Sequence, residues 1–335
     1  PRSTLFPYTT LFRSTAFIGA GRFKARRLIQ KEFVAERTAG PYNAVMTLRQ
    51  FFAVVELRTK IVSVSTYALA LTYALYRGAA VDPVKAALLF AATLAVDMGT
   101  TGFNSYFDWY RNVDDPRFNR EEGKVIVHEG VSPGAALGAS VLCYAAAAGL
   151  GLALALLMGP AWPWLLMAGA FCMLAGFLYS GGPRPLSSTP LGELFAGGFL
   201  GSALFLIGVS VLSGEIDGHA ALASLPQALF IAAILSVNNA CDFEGDSAAG
   251  RRTLAISLGR ARAAWPVYAE LAAGGLALAA LGLAGVLPVW SAAAAVAGGS
   301  FAIPELRRMG RRGWSHDTKG PNMGGISRID RKSVV

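Results

Sequence analysis

The sequence predicts an all-α, polytopic bundle of membrane-spanning helices. Three observations carry this. Of the 335 residues, 54% are hydrophobic and 15% are charged, against about 25% charged residues in a soluble domain. Apolar stretches of membrane-crossing length recur along the chain. Lys and Arg crowd into every second loop between them.

The apolar stretches number eight, at about 61–76, 85–103, 134–158, 161–179, 194–213, 225–241, 264–286 and 288–304. The first, with Ser63, Ser65, Thr66 and Thr72, is the most polar and is expected to face a cavity rather than lipid. Ala135–Ala155 and Ala292–Ser300 are rich in small residues, which suits close helix packing in lipid. Positive charge collects before the first stretch, in the loops at 104–133, 180–193 and 242–263, and in the tail. The loops between carry almost none, and only Arg77 and Lys85 break the alternation. The positive-inside rule places the N-terminus and the basic loops in the cytoplasm. The expectation is an integral protein of a bacterial or archaeal cell membrane. The net charge of +9 follows from these loops and implies no nucleic acid. Cys143, Cys172 and Cys241 show neither a disulfide framework nor metal-site spacing.

The two ends read differently. Thr4–Ser14 (TLFPYTTLFRS) and Asp330–Val335 (DRKSVV) resemble the translation of a DNA-sequencing adapter and its reverse complement. The expected division is an adapter-like leader at 1–14, a basic cytoplasmic segment at 15–57, a transmembrane domain at 58–329 and an adapter-like tail at 330–335. A ninth span is expected to be missing beyond Ile329. The basic residues from Arg22 to Arg37 suit either a membrane-surface helix or a solvated leader.

Two motifs carry the chemistry. The first is Asn104-Ser-Tyr-Phe-Asp108-Trp-Tyr-Arg-Asn-Val-Asp114, where the second span leaves the membrane. Asn104 and Asp108 are four apart and share a helix face. The second is Asn238-Asn-Ala-Cys-Asp242-Phe-Glu-Gly-Asp246, at the end of the sixth span, where Asn238, Asp242 and Asp246 form one stripe. A lone acidic pair at a span end is usually a solvated helix terminus. Two N-x-x-x-D motifs on the same side of a membrane point instead to function. Mg²⁺ takes hard oxygen ligands, commonly one or two carboxylates together with substrate phosphates. Two such motifs suit a metal cage for a diphosphate, whose charge grows as it leaves carbon. Arg111, Lys124, Arg184, Arg251 and Arg252 are nearby cations suited to phosphate. No general base is evident, since His128 is a loop residue and His219 lies on the opposite side. Tyr106 and Tyr179 suit either substrate contact or interfacial anchoring.

At these residues the chain resembles the UbiA superfamily of intramembrane prenyltransferases, over roughly Arg58 to Ser327. Within it, the chain is most similar to the branch acting on 1,4-dihydroxy-2-naphthoate. Asn238–Gly259 (NNACDFEGDSAAGRRTLAISLG) is similar to that branch's second signature. Tyr179-Ser-Gly-Gly-Pro-Arg184-Pro-Leu with Leu191-Gly-Glu193 resembles its loop after the fourth span. Arg58-Thr-Lys60 stands where the family has a basic start to its first helix.

The resemblance implies a nine-helix bundle around a cavity open to lipid. It also implies Mg²⁺-dependent transfer of a polyprenyl group from polyprenyl diphosphate to an aromatic acceptor in menaquinone synthesis. Asn104, Asp108, Asp114, Asn238, Asp242 and Asp246 would form the metal–diphosphate site, with Asp108 and Asp242 as its catalytic pair. Arg58, Lys60, Arg111, Lys124, Tyr179, Arg184 and Arg251 would bind substrates. Ionisation of the donor would give an allylic cation that the electron-rich ring attacks, in a site closed to water. Two departures stand out. Cys241 replaces the branch's usual Arg, and Asn112–Asp115 lacks the usual Gly before its last Asp. The alternatives are a UbiA branch with a 4-hydroxybenzoate, homogentisate, haem or chlorophyllide acceptor, a phosphatidyltransferase, and a membrane transporter or scaffold. The phosphatidyltransferase signature is absent, and the clean span interiors disfavour a transporter.

Overall fold

The computed structural model describes residues 42, 43, 45–114, 121 and 123–334, with side chains to 329. The adapter-like leader, the basic run from Arg22 to Arg37 and the side chains of the 330–335 tail lie outside the described residues. Among the described residues the fold is helical, with one isolated bridge between Asn43 and Val131.

Helix α1 (Leu48–Val54) opens on a capping box between Thr47 and Gln50. A short 3₁₀ turn, Leu57–Lys60, leads into α2 (Ile61–Tyr76). Helix α3 (Pro83–Tyr110) starts at Asp82, whose side chain accepts from the amides of Val84 and Lys85. Its 28 residues make it about 42 Å long against a hydrocarbon layer of about 30 Å. The first motif, at its C-terminal end, therefore sits at the rim. After the short α4 (Val125–His128) come α5 (Pro133–Leu156) and α6 (Trp162–Ser180).

Helix α7 (Gly192–Ser213) widens into a π-helical stretch over Gly197–Ala203. Gly197 and Gly201 let that stretch press on α9, and a Cβ at Gly201 would lie 2.4 Å from the Cα of Ala228. Helices α8 (Gly218–Ala223) and α9 (Leu225–Cys241) lead to the second motif. Two short helices follow, α10 (Phe243–Ala248) and α11 (Leu254–Leu258). The chain then runs through α12 (Trp265–Leu283), α13 (Trp290–Arg312) and α14 (His316–Val334).

A helix stands at each of the eight expected places. Six of these segments are long and apolar enough to cross a membrane: Pro83–Tyr110, Pro133–Leu156, Gly159–Ser180, Gly192–Ser213, Gly218–Cys241 and Arg260–Leu283. The expected count of eight is not confirmed by this measure. Helix α2 has 16 residues, about 24 Å, and α13 ends in the charged run Arg307, Arg308, Arg311 and Arg312. Leu156, Leu276 and Leu283 are each more than 70% exposed on outer faces. Such surfaces suit lipid rather than water as the solvent.

The polar first helix faces inward. Ser63 and Thr66 are fully buried. Ser63 donates to Asp97 Oδ2 at 2.6 Å, and Gln227 of α9 donates to Thr66 Oγ1 at 3.2 Å. Arg77, an exception to the charge alternation, pairs with Asp217 at 3.1 Å. Apolar packing divides into two main clusters. Leu89, Leu154, Leu165 and Val211 join α3, α5, α6 and α7. Phe230, Val237, Val267, Met309 and Ile326 join α9, α12, α13 and α14. A cavity of about 2090 Å³ is lined by residues of both groups.

Candidate active site

The cavity has apolar walls and a polar cap. Leu166, Phe199, Leu200, Ile207 and Ile234 are among the wall residues. The cap holds Asn104, Asp108 and Asp114 from the first motif, and Asn238, Asp242 and Asp246 from the second. Arg58, Lys124, Tyr179 and Arg251 also line the cavity.

Local geometry sets the first motif. One helical turn apart on α3, Asn104 donates from Nδ2 to Asp108 Oδ2 at 2.9 Å. Ser180 at the end of α6 donates to Asn104 Oδ1 at 2.8 Å, so both sides of this amide are fixed. Beyond the helix, Asn112 takes a left-handed φ of +58°. Asn tolerates that region better than most residues, and it turns the chain where the family-like glycine is lacking. The amides of Val113 and Asp114 then both reach the Asp108 carbonyl, at 2.8 and 3.4 Å. Asp114 is 3% exposed. Burial pushes its carboxyl up to about 6, against the pull of Lys124 at 3.8 Å. Lys124 also pairs with Glu56 at 3.1 Å.

The second motif crosses a break between helices. Helix α9 ends at Cys241, and Asp242 caps it before α10 begins. Its amide still reaches the Asn238 carbonyl at 2.9 Å, and the Asp246 amide reaches the Asp242 carbonyl at 2.9 Å. The i, i+4, i+8 stripe thus continues through the junction. Burial pushes the Asp246 carboxyl up to about 6, although Arg251 donates to its Oδ1 at 2.9 Å. Arg251 is itself fixed by the Ser187 carbonyl at 2.8 Å. Asp242 behaves in the opposite way. Burial opposes its charge, but Lys319 and His316 outweigh that and hold its carboxyl at about 2. Lys319 Nζ lies 2.5 Å from its Oδ2, and His316 Nδ1 lies 3.2 Å from its Oδ1.

Three expected substrate-binding residues do not reach the cavity lining. Lys60 is 3% exposed and donates to Asp97 Oδ1 at 2.7 Å and to Thr101 at 3.0 Å. A buried ammonium needs such partners, and α3 supplies them. Arg111 turns to the loop after α6, where it donates to the carbonyls of Ser180 and Gly182 and lies over the Phe107 ring. Arg184 is exposed outside the lining.

Other residues enter that local spacing did not reveal. His316, Lys319 and Glu121 meet at Asp242, although 74 residues or more separate each of them from it. Asn239 donates to Glu193 Oε1 at 2.8 Å. Cys241, where an Arg was expected, is buried and receives Asn322 Nδ2 at 3.7 Å. The one legible signal in the tail is the spacing of Met323, Ile326 and Ile329, which marks a packed helix face.

The cap fits a divalent metal. Its donors are hard carboxylate and amide oxygens. Asp246 Oδ2 is buried and accepts from no described donor, a costly state that a cation would relieve.

Comparison with known proteins agrees with this architecture. The model of the UbiA prenyltransferase family matches residues 63–319. A 1,4-dihydroxy-2-naphthoate octaprenyltransferase of Bacillus subtilis is 34% identical over 204 residues, covering 61% of this chain and 64% of that protein. One of Mycobacterium tuberculosis is 31% identical over 178 residues, covering 53% of this chain and 59% of that protein. The chain thus spans about three-fifths of the length of these curated relatives. A UbiA homolog from Archaeoglobus fulgidus bound to GPP and Mg²⁺ superposes with a TM-score of 0.62 at 15% identity, covering 85% of this chain and 98% of that one. An apo UbiA homolog from Aeropyrum pernix K1 gives 0.62 at 20% identity, covering 81% and 96%. By the extent of the family match and the shared helical architecture, the chain belongs to the UbiA prenyltransferase family.

Proposed function

We propose that this protein transfers a polyprenyl group from polyprenyl diphosphate to 1,4-dihydroxy-2-naphthoate, with Mg²⁺ as cofactor, in menaquinone biosynthesis. The observation that carries the reading is the polar cap itself. Four carboxylates from the two motifs, Asp108, Asp114, Asp242 and Asp246, line one cavity together with Arg58, Lys124 and Arg251 and with apolar residues such as Phe199, Leu200 and Ile207. The volume of about 2090 Å³ exceeds the roughly 300–1,000 Å³ of common small-molecule pockets and suits a long isoprenoid chain. The choice of acceptor is supported by the named relatives from Bacillus subtilis and Mycobacterium tuberculosis. The distribution of Lys and Arg supports a cell-membrane protein with this cap on the cytoplasmic side.

Asn104, Asp108, Asp114, Asn238 and Asp246 would hold the metal through their oxygens, with Asp242 at the edge of the set. Bound there, a divalent cation supplies positive charge to a departing diphosphate. Arg251 and Lys124, fixed by Asp246 and by Asp114 with Glu56, present N–H donors to phosphate oxygens. Phe199, Leu200 and Ile207 exclude water from the reacting carbon, so that a ring carbon rather than water captures the prenyl group. Tyr179 lines the same region and offers a face and a hydroxyl to the aromatic acceptor.

The test uses membranes carrying the protein, a polyprenyl diphosphate, and either dihydroxynaphthoate or 4-hydroxybenzoate. The expected product is the prenylated 1,4-dihydroxynaphthalene, with diphosphate released and the ring carboxyl lost as CO2, and turnover in Asp108→Ala and Asp246→Ala is lowered about 100-fold or more. Full turnover in either variant would overturn the metal-cage reading. Product from 4-hydroxybenzoate alone would move the protein to another branch of the family.

A further inference from the structure

The outer side of the second motif is closed by the C-terminal helix. Met323, Ile326 and Ile329 of α14 pack with Val237, Val267 and Met309 of α9, α12 and α13. Asn322 Nδ2 adds a bond to the Gly313 carbonyl at 2.9 Å. This packing carries Lys319, one turn before Met323, to the end of α9. Its ammonium lies 2.5 Å from Asp242 Oδ2 and 2.5 Å from Glu121 Oε1. Asp242 belongs to the second motif, and Glu121 to the loop that follows the first. A single cation therefore joins carboxylates from both sides of the cap. The Lys319 side chain is 13% exposed, and the residue lines the cavity.

The position is one that a metal ion would suit. Donor atoms of Glu121, Asp242 and His316 all lie within 4.8 Å of one another. Lys319 places its charge at two of these three groups instead. An ammonium has three N–H donors, and the two carboxylates use two of them. Helix α14 is already held by apolar contacts and by Asn322, so anchoring alone does not require a charge bridged across two loops.

We propose that Lys319 is a resident cation of the donor site, standing where a divalent ion would fit and giving its third N–H to the diphosphate of the prenyl donor. Helix α14 then contributes a catalytic residue. Lys319 neutralises negative charge on the leaving group without needing to be recruited from solution. The inference rests on the reading of the cap as a prenyl diphosphate site.

The test is binding of inorganic pyrophosphate with Mg²⁺ to the full chain in detergent, by titration calorimetry. Wild type, Lys319→Gln, Lys319→Arg, Glu121→Gln and Asp246→Asn are compared. Lys319→Gln is expected to weaken binding about tenfold or more, and Lys319→Arg to hold it within about threefold of wild type. The same order is expected in the KM for geranyl diphosphate. Wild-type affinity in Lys319→Gln would overturn the proposal. If Lys319→Gln yields no folded protein, Glu121→Gln decides. Tighter pyrophosphate binding there supports the proposal, because the ammonium loses a competing carboxylate, and unchanged or weaker binding overturns it. Asp246→Asn separates the two readings. If it binds as wild type does, the diphosphate site itself fails. If it weakens binding while Lys319→Gln does not, only the role of Lys319 fails.

Discussion

Arg251 donates to one oxygen of Asp246 at 2.9 Å, while the other oxygen, Oδ2, is buried and meets no described donor. The pair thus divides one carboxylate into a clamped half and a half open to a cation. Asp246→Asn keeps the shape and removes the charge. It is expected to raise the Mg²⁺ concentration for half-maximal prenyl transfer about tenfold or more. A metal titration of wild type and variant checks this, and an unchanged midpoint would remove Asp246 from the metal set.

Asp114 and Asp246 both have carboxyls raised to about 6 from 3.8. A raised acid pKa means that the metal-free fold retains protons that the unfolded chain has already lost. The metal-free protein is therefore expected to lose stability as pH rises from about 4 through 6, with no further change from these groups above that. Asp242, held at about 2, contributes the opposite slope only below about 4. Metal binding must displace the retained protons, so apparent Mg²⁺ affinity is expected to fall as pH drops from 7.5 to 5.5. Activation curves at the two pH values test it, and equal midpoints would contradict the shared burial of the two carboxyls.

Lys60 and Asp97 form a buried ion pair at 2.7 Å, with side chains 4% and 8% exposed. Removing one partner leaves a charge without compensation inside the bundle. Asp97→Ala is expected to destabilise the protein by about 3–5 kcal/mol, and a Lys60→Met/Asp97→Leu double variant by much less. Thermal unfolding in detergent measures both. The double variant is also expected to retain the wild-type KM for the prenyl diphosphate. A large rise in that KM would return Lys60 to the substrate site.

The π-helical stretch of α7 depends on close approach to α9. A Cβ at Gly201 would lie 2.4 Å from Ala228 Cα, whereas at Gly198 it would meet nothing within 4 Å. Gly201→Ala is expected to cost about 1–3 kcal/mol through overpacking. Gly198→Ala is expected to be neutral or slightly stabilising. Comparing the two unfolding midpoints isolates the contact from the helix propensity that both changes share.

The helical membrane class and the two motifs were legible in the sequence because both depend on neighbours close along the chain. Hydrophobic runs show directly in composition, and Asn104 with Asp108, or Asn238 with Asp242 and Asp246, share a face through the helical repeat alone. The break of α9 at Cys241 left that repeat intact, since the backbone bonds at Asp242 and Asp246 continue across it. The resemblance of Asn238–Gly259 pointed to the family for the same local reason.

The sequence by itself determined that acidic motifs lie at the ends of two apolar helices. Only the tertiary structure decided which cations meet them. Lys60, expected among the substrate-binding residues, pairs with Asp97, and Arg111 donates to the carbonyls of Ser180 and Gly182. Lys319 and His316, in a tail with no apparent role, arrive at Asp242. Long flexible cationic side chains bind whichever carboxylate or carbonyl the packing places within reach. That choice is made by helices distant in sequence, so no local pattern encodes it.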